Sequence, residues 1–345
     1  MSNTEPLSSR RQSLFNAILA DHRDEVSMNG DTLRKLTVPA RHPVTIAAIN
    51  RLRDRGMSAP VADDPARLIR TFEDYLLGQK NEKLMSVGFG RQIPKGVHYI
   101  RSERRLFFDF RNSDLLMEDL EDAGMDLTAA LTGADFGCST GRTIRTLAVG
   151  LPHMNWIGLD PVPSSIEYAA GRFPKQRWVV NNQNPPMPLD DSSVDFFVSK
   201  SVWTHFSAEA ARAWMRDIER VLKPGGYAAI TVHGWHDLSR RVVYNDPNPR
   251  YDRLVDGKNI PKIEFLELVA DELRRDGFMF RPYRNLGWQG DLARIEGATT
   301  DNWGLTFITK AWAENNLASA KLSLVRRSIG RTGHRHDILV FKKAA

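Results

Sequence analysis

Cysteine is nearly absent. Cys138 is the only one in 345 residues, so no disulfide can form within the chain, which suits a reducing, cytoplasmic compartment. No stretch approaches the roughly 20 apolar residues that a membrane-spanning helix needs. The opening MSNTEPLSSRRQSLF has no apolar signal core, and residues 1–12 read as a disordered, polar lead-in. Internal repeats and long low-complexity tracts are missing as well. Neither sign of charge dominates, with 48 Lys and Arg against 42 Asp and Glu. The net +6 is spread thinly, which allows an anionic partner but argues against nucleic acid. What is present is the composition of a soluble globular protein, 41% hydrophobic and 26% charged, in a chain long enough for one large or two ordinary domains.

The chain changes texture along its length. Residues 13–125 carry short amphipathic helical patterns, such as Leu14-Ile18 and Leu68-Phe72-Tyr75-Leu76, broken by Pro39, Pro43 and Pro60. They read as a helical N-terminal region or lid. From about 126 to 234 strands alternate with helices. Ala134–Phe136, Trp156–Leu159, Arg177–Asn181, Val194–Ser199 and Tyr227–Val232 read as strands. Between them, Thr143–Val149 reads as a helix, and Ser164-Ser165-Ile166-Glu167 has capping-box spacing and opens another. Ser207 caps a third, with Ala211, Trp214, Met215, Ile218, Val221 and Leu222 on one face, stopped by Lys223-Pro224-Gly225-Gly226. Such alternation predicts a Rossmann-like α/β fold, a mostly parallel sheet with helices on both faces. Residues 235–302 depart from it as a loop-rich insertion around one good helix, Ile263–Leu273. Residues 303–345 return to a helix from about Thr309 and two strand-like runs, Lys321–Val325 and Asp337–Phe341, joined by a glycine-containing turn.

The stretch GADFGCSTGRT, residues 133–143, turns tightly after the first strand. It is not a nicotinamide loop. Counted from Gly137, the second and third glycines of G-x-G-x-x-G are replaced by Ser139 and Arg142. The lysine-bearing phosphate loop is absent too. What remains is D-x-G-x-S-x-G: Asp135, Gly137, Ser139 and Gly141. A carboxylate ends the strand, and small residues let the backbone close on a ligand carrying an amine. Farther on, Asp160 ends the second strand, where a carboxylate can take both hydroxyls of a ribose. A ligand with a ribose and an ammonium group, and no phosphate signature, fits S-adenosylmethionine.

With these residues the chain resembles the class I S-adenosylmethionine-dependent methyltransferases. Four segments carry the resemblance in the right order: ADFGCSTGR, WIGLDPVPSSIEYA, PMPLDDSSVDFFVSKSVWTHF and WMRDIERVLKPGGYAAITV. The tail from WGLTFITKAW to HDILVFKK is similar to that family's last helix and closing strands. The resemblance implies a seven-stranded sheet with an antiparallel last strand. It also implies that Asp135, Gly137, Cys138, Ser139 and Gly141 line the methionine half of the cofactor. Asp160 would bind the ribose and Pro161 flank the adenine, with Asn182, Gln183 and Ser199 completing the site. Gln183 stands where the family often has an acid for the adenine amino group; an amide oxygen can accept there too. Ser139 replaces the usual middle glycine. Cys138 reads as a small buried filler rather than a nucleophile.

Methyl transfer needs positioning and, for a hydroxyl acceptor, a base. The segments after the fourth and fifth strands offer His205, His233 and His236 as candidates, with Asp237 as a carboxylate alternative. His205 also has a structural or cofactor-side reading. His233-x-x-His236-Asp237 is only a weak metal pattern, so no metal is expected. Trp203 and Trp235 wall a pocket or simply pack. Asn184-Pro185-Pro186-Met187 is similar to the N-P-P-aromatic motif of enzymes that methylate amino groups, but it follows the wrong strand and lacks the aromatic; it reads as a loop. Arg101, Arg104 and Arg105 clamp a carboxylate or form a solvated basic face. The expected function is methylation, on oxygen, of a small molecule or glycan, with the insertion and N-terminal helices forming the acceptor pocket. Arg326, Arg327, Arg331 and Arg335 support RNA or protein methylation as an alternative. A non-catalytic cofactor-sensing or partner-binding module is another. Homo-oligomer formation is left open.

Overall fold

The structure, a computed structural model, describes residues 9–26, 41–54, 105–244, 260–283, 301–332 and 335–345, together with Gly56, Arg67 and Phe72. Its centre is a seven-stranded sheet. Strands β1 (Thr132–Phe136), β2 (Asn155–Asp160), β3 (Arg177–Val180), β4 (Val194–Ser199) and β5 (Leu222–Val232) pair in parallel. The full order is β3-β2-β1-β4-β5-β9-β8, with β8 (Leu322–Ser328) and β9 (Asp337–Lys343) as antiparallel closing strands. The order reverses between β1 and β4, and in open α/β sheets ligands bind beyond the carboxyl ends at such a switch point. Close packing of the centre depends on Gly133. A side chain there would meet Phe196 at 2.4 Å and Trp156 at 2.8 Å, rings that pack edge to face at 5.5 Å.

Helices α4 (Arg142–Gly150), α5 (Pro163–Arg172) and α6 (Ala208–Val221) connect the parallel strands. The expected cap of α6 is present, Ser207 Oγ accepting from Ala210 N at 3.2 Å. The expected capping box at Ser164 is not used. Val162 is the N-cap without a side-chain bond, because Pro163 occupies the first turn and sets its backbone angle unaided. Lys223-Pro224-Gly225-Gly226 does end a helix, but β5 begins at once at Leu222. The strand register slips between Val194↔Leu222 and Phe196↔Tyr227, so the turn residues form a bulge in the pairing.

The chain divides into two compact units. One draws on Val38–Lys200, Asp217–Ile230 and Val340–Ala345. Within it α3 (Arg105–Asp122) closes the start of α2 (Pro43–Asp54) with buried acids. Asp114 accepts from Val44 N at 2.7 Å, Thr45 N at 3.0 Å and the Thr45 hydroxyl at 2.5 Å, and Glu118 accepts from His42 N at 3.0 Å. These bonds satisfy amides that a helix start leaves open, and the charge suits the positive end of the helix dipole.

The other unit draws on Met1–Thr37, Ser201–Arg216 and Thr231–Leu339. Helix α1 (Ser9–His22) lays Leu14 and Ile18 into a core with α7 (Trp235–Val243) and α8 (Lys262–Asp276). His22 stacks on Trp235 at 3.9 Å. The expected lead-in of 1–12 is thus helical from Ser9, where Arg10 is held by Glu267 at 2.6 and 2.8 Å. The helices within 13–125 divide between the two units. The 235–302 segment is also more regular than expected. Besides α8, α7 starts at Trp235, and β6 (Phe278–Pro282) pairs antiparallel with β7 (Gly304–Ile308) in a separate two-stranded sheet. Helix α9 (Lys310–Asn316) follows, capped by Thr309, whose hydroxyl accepts from Trp312 N at 3.2 Å. Residues 245–259 and 284–300, and most of the Leu68–Leu76 pattern, lie outside the described residues. No described helix is long and apolar enough to cross a membrane.

Candidate active site

The loop after β1 contains three left-handed residues: Gly137 (φ 77°), Ser139 (φ 48°) and Gly141 (φ 75°). Its path is fixed by the end of β2. Leu159 O accepts from Gly137 N at 2.8 Å and from Cys138 N at 3.0 Å, and Asp160 Oδ2 accepts from Ser139 N at 2.7 Å. Asp160 Oδ1 takes Val162 N at 3.0 Å. Each oxygen of a carboxylate has two lone pairs, so Asp160 orders both loops and keeps acceptor capacity for a ligand hydroxyl. Burial pushes its carboxyl up to about 6, against the two amide bonds that favour the charged form.

Gly141 matters for space as well as for backbone angle. A Cβ there would stand 2.4 Å from the Trp178 ring, and one at Gly158 would stand 2.4 Å from the same ring. Trp178 Nε1 donates to Phe173 O at 2.9 Å, so the indole is fixed over the loop. Ser139 adopts the backbone region that glycine prefers, at a position where the resembling proteins commonly have glycine.

Asp135 is buried, and its Oδ2 has no hydrogen-bond partner among the described residues. Burial pushes this carboxyl up to about 7; Lys200 pulls it down, and Asp160 raises it further. A carboxylate in that setting is stabilised by a cation, which the ammonium of a bound amino acid supplies. Cys138 is buried with its thiol pushed well up, first by burial and then by Asp160 and Asp135, so it is inert filler. Ser199 is fully buried, and its hydroxyl donates to Phe136 O at 2.9 Å, tying β4 to β1. Pro161 and Gln183 are half-buried; Asn182 is exposed and donates to Pro186 O at 3.1 Å.

Motif alignment overlooked three groups here. Asn181 is buried, with its side-chain oxygen unbonded, and its amide donates to Asp160 O at 2.9 Å. Only its place at the end of β3 signals it. Lys200 is the cation whose field reaches Asp135 and Asp109. Asp109, buried, pairs with Arg142 and with Arg145 at 2.5 Å and so anchors the first turn of α4. Of the arginines proposed as a clamp, Arg101 and Arg104 lie outside the described residues, and Arg105 opens α3.

The histidines belong to the second unit, and β7 organises them. One edge of β7 pairs with β6; on the other, Gly304 N donates to His205 O at 2.7 Å, Thr306 N to Thr204 O at 2.9 Å and Ile308 N to His233 O at 2.8 Å. Carbonyls two apart point to the same edge. Gly304 O therefore meets His205 Nδ1 at 3.1 Å, and Thr306 O meets His233 Nδ1 at 2.8 Å. A carbonyl only accepts, so each ring donates from Nδ1 and keeps its lone pair on Nε2. The Tyr283 hydroxyl oxygen stands 2.5 Å from His205 Nδ1, and the Trp303 ring lies 4.8 Å from the imidazole.

The three candidates are not equivalent. His205 is half-buried. His233 is buried against Phe307 and His336, and burial drops its pKa to about 3 despite nearby Asp237. His236 lies beneath Gly330, where a Cβ would come within 2.3 Å of Nε2, and burial lowers its pKa. It is almost fully buried. Asp237 is fully buried; burial raises its pKa, but Arg241 at 2.5 Å outweighs that and holds it low. The carboxylate alternative is thus a structural ion pair. Trp203 and Trp235 are fully buried, Trp203 packed against Phe206 and Trp235 against His22. Among the described residues no three His, Cys, Asp or Glu side chains are grouped to hold a metal.

The family described as "Methyltransferase domain" matches residues 134–230. No curated protein matches the chain. Among solved structures it is similar to an S-adenosylmethionine-dependent methyltransferase from Mesorhizobium loti at 14% identity, covering 66% of this chain and 98% of that one, with a TM-score of 0.41. A Clostridium acetobutylicum S-adenosylmethionine-dependent methyltransferase gives 11% identity, 68% and 91% coverage, and 0.43. Human N-acetylserotonin methyltransferase, in complex with SAM, gives 14%, 88% and 72%, and 0.38. On the match at 134–230 and the sheet built around it, the chain is an enzyme carrying a class I S-adenosylmethionine-dependent methyltransferase domain.

Proposed function

We propose that the enzyme methylates a hydroxyl of a small molecule or glycan, with His205 as the base. Asp135 receives the cofactor's ammonium group and Asp160 its ribose hydroxyls. Gly137, Cys138, Ser139 and Gly141 shape the loop around the methionine half, and Pro161, Asn182 and Gln183 border the adenine. The bound cofactor supplies an activated methyl group. The protein's own residues orient the acceptor, exclude water and remove one proton.

The observation that carries this reading is His205 itself. It is the one candidate of the three that is only half-buried, and Gly304 O fixes its Nδ1–H so that Nε2 is the basic atom. A base is needed for a hydroxyl acceptor, whose proton must leave as the oxygen is methylated. An imidazole whose lone pair is on Nε2 suits that task.

His205→Gln tests it. Transfer is scored by release of demethylated cofactor across a panel of phenols, sugars and aliphatic alcohols, and cofactor affinity by calorimetry. The expected outcome is a fall in kcat of at least about a hundredfold with cofactor affinity unchanged. Near-normal kcat would show that the acceptor needs no histidine base, and transfer only to RNA or protein would replace the acceptor class.

A further inference from the structure

We infer that Tyr283 is a positioning residue for His205: its phenol oxygen and the Gly304 carbonyl share the Nδ1 proton, hold the ring in one tautomer, and raise the basicity of Nε2. The inference deepens the reading of His205 as base and rests on it.

The argument turns on two oxygens around one nitrogen. Gly304 O lies 3.1 Å and Tyr283 Oη 2.5 Å from Nδ1. Were Tyr283 to donate its proton to a bare Nδ1, the Gly304 carbonyl would face a nitrogen lone pair, two electron-rich atoms at hydrogen-bond distance. With the proton on Nδ1, both oxygens accept from it as a three-centre bond, a common arrangement in proteins. The lone pair then belongs to Nε2 alone.

The same surroundings favour the ring after it has taken a proton. When the acceptor's hydroxyl proton moves to Nε2, the positive charge spreads over the imidazole, and the shared Nδ1–H bond becomes charge-assisted and stronger. The Trp303 ring, 4.8 Å away and tilted by 40°, presents π-electrons to that charge. Tyr283 is itself held: it is buried, and its amide donates to Trp303 O at 3.2 Å. Position is therefore set by the paired ends of β6 and β7 rather than by a free side chain. Among the described residues, His233 is a titratable group whose field couples to that of His205. His233 is neutral above about pH 3, so it does not oppose a proton on His205 in the working range.

Nothing in residues 278–283, read as sequence, singles out Tyr283. The hydroxyl reaches His205 only because β6 runs antiparallel to β7, pairing Pro282 with Gly304.

Two measurements test the assignment. Nitrogen-15 spectra of histidine-labelled protein, free of cofactor, report the tautomer directly. The expected result is Nδ1–H with an unprotonated Nε2 at His205; an Nε2–H tautomer overturns the inference without any variant. Tyr283→Phe then removes only the oxygen. Loss of an acceptor that stabilises the imidazolium shifts the acid limb of kcat down by roughly one pH unit, and kcat on the plateau falls about tenfold or more as the ring loses its fixed orientation. Cofactor affinity stays as in the parent. An unmoved acid limb, or one moved upward, overturns the inference while the base reading stands, provided His205→Gln is inactive. An active His205→Gln variant overturns the base reading itself.

Discussion

A carboxylate sealed at the end of β1, as Asp135 is, costs the cofactor-free protein stability, because burial disfavours its charged form. The cost is useful only if a cation arrives. Its pKa of about 7 means that lowering the pH below 7 protonates the group and removes the partner that the ammonium needs. The cofactor's Kd should therefore rise as pH falls from 7, approaching tenfold per unit, whereas affinity unchanged from pH 8 to 5.5 would sink the ammonium assignment. Asp135→Asn keeps the shape and removes the charge. At pH 8 it should stabilise the cofactor-free protein by about 1–3 kcal/mol while weakening cofactor binding at least tenfold. Thermal denaturation and calorimetry read the two effects separately; a variant that loses stability would show that the carboxylate is not under strain.

Elements show where the sequence was readable and where it was not. The parallel strands were legible because each is a short apolar run ending in a turn residue, and Val194–Ser199 begins and ends where the pattern places it. The tight turn through Gly137, Ser139 and Gly141 after β1 was legible because such a turn limits residue type. β7 was not. WGLTFI reads as the approach to a helix, and its role comes from two edges, one paired with β6 and the other holding His205 and His233. Such contacts are set by chain far away in sequence, and so was the burial of His236 under Gly330, whereas Asp237 pairs with Arg241 one helical turn on. At the glycine loop, local and distant constraints coincide. Gly141→Ala forces a left-handed angle on alanine and drives its Cβ against Trp178. A loss of roughly 1–3 kcal/mol is expected, seen as a lower Tm and weaker cofactor binding. Adding Trp178→Leu should recover part of the Tm loss, since it frees the space but not the backbone angle. No recovery at all would place the whole effect in the backbone.

At the scale of the whole molecule, the buried groups make opposing contributions to stability against pH. His233 is held neutral with a pKa of about 3. Between pH 3 and about 6.5 the unfolded chain binds a proton there that the folded chain does not, so this term makes stability rise with pH, by up to about 1.4 kcal/mol per unit. His236 and His22, also lowered by burial, act in the same direction. Asp135, raised to about 7, and Asp160, raised to about 6, act in the other. From about pH 4 upward the folded chain keeps protons that the unfolded chain has lost, so these terms make stability fall as pH rises. Asp114, raised by burial, adds to them. In the cofactor-free protein the two sets offset each other, and Tm should change little between pH 4.5 and 6. Bound cofactor holds Asp135 in its charged form and removes that carboxylate's term, leaving the histidine terms less opposed. With saturating cofactor, Tm should therefore climb with pH across the same window. Thermal scans at matched pH, with and without cofactor, decide it. The two curves should diverge as pH rises in the parent protein and run parallel in Asp135→Asn; parallel curves in the parent would mean that cofactor binding and the charge on Asp135 are not coupled.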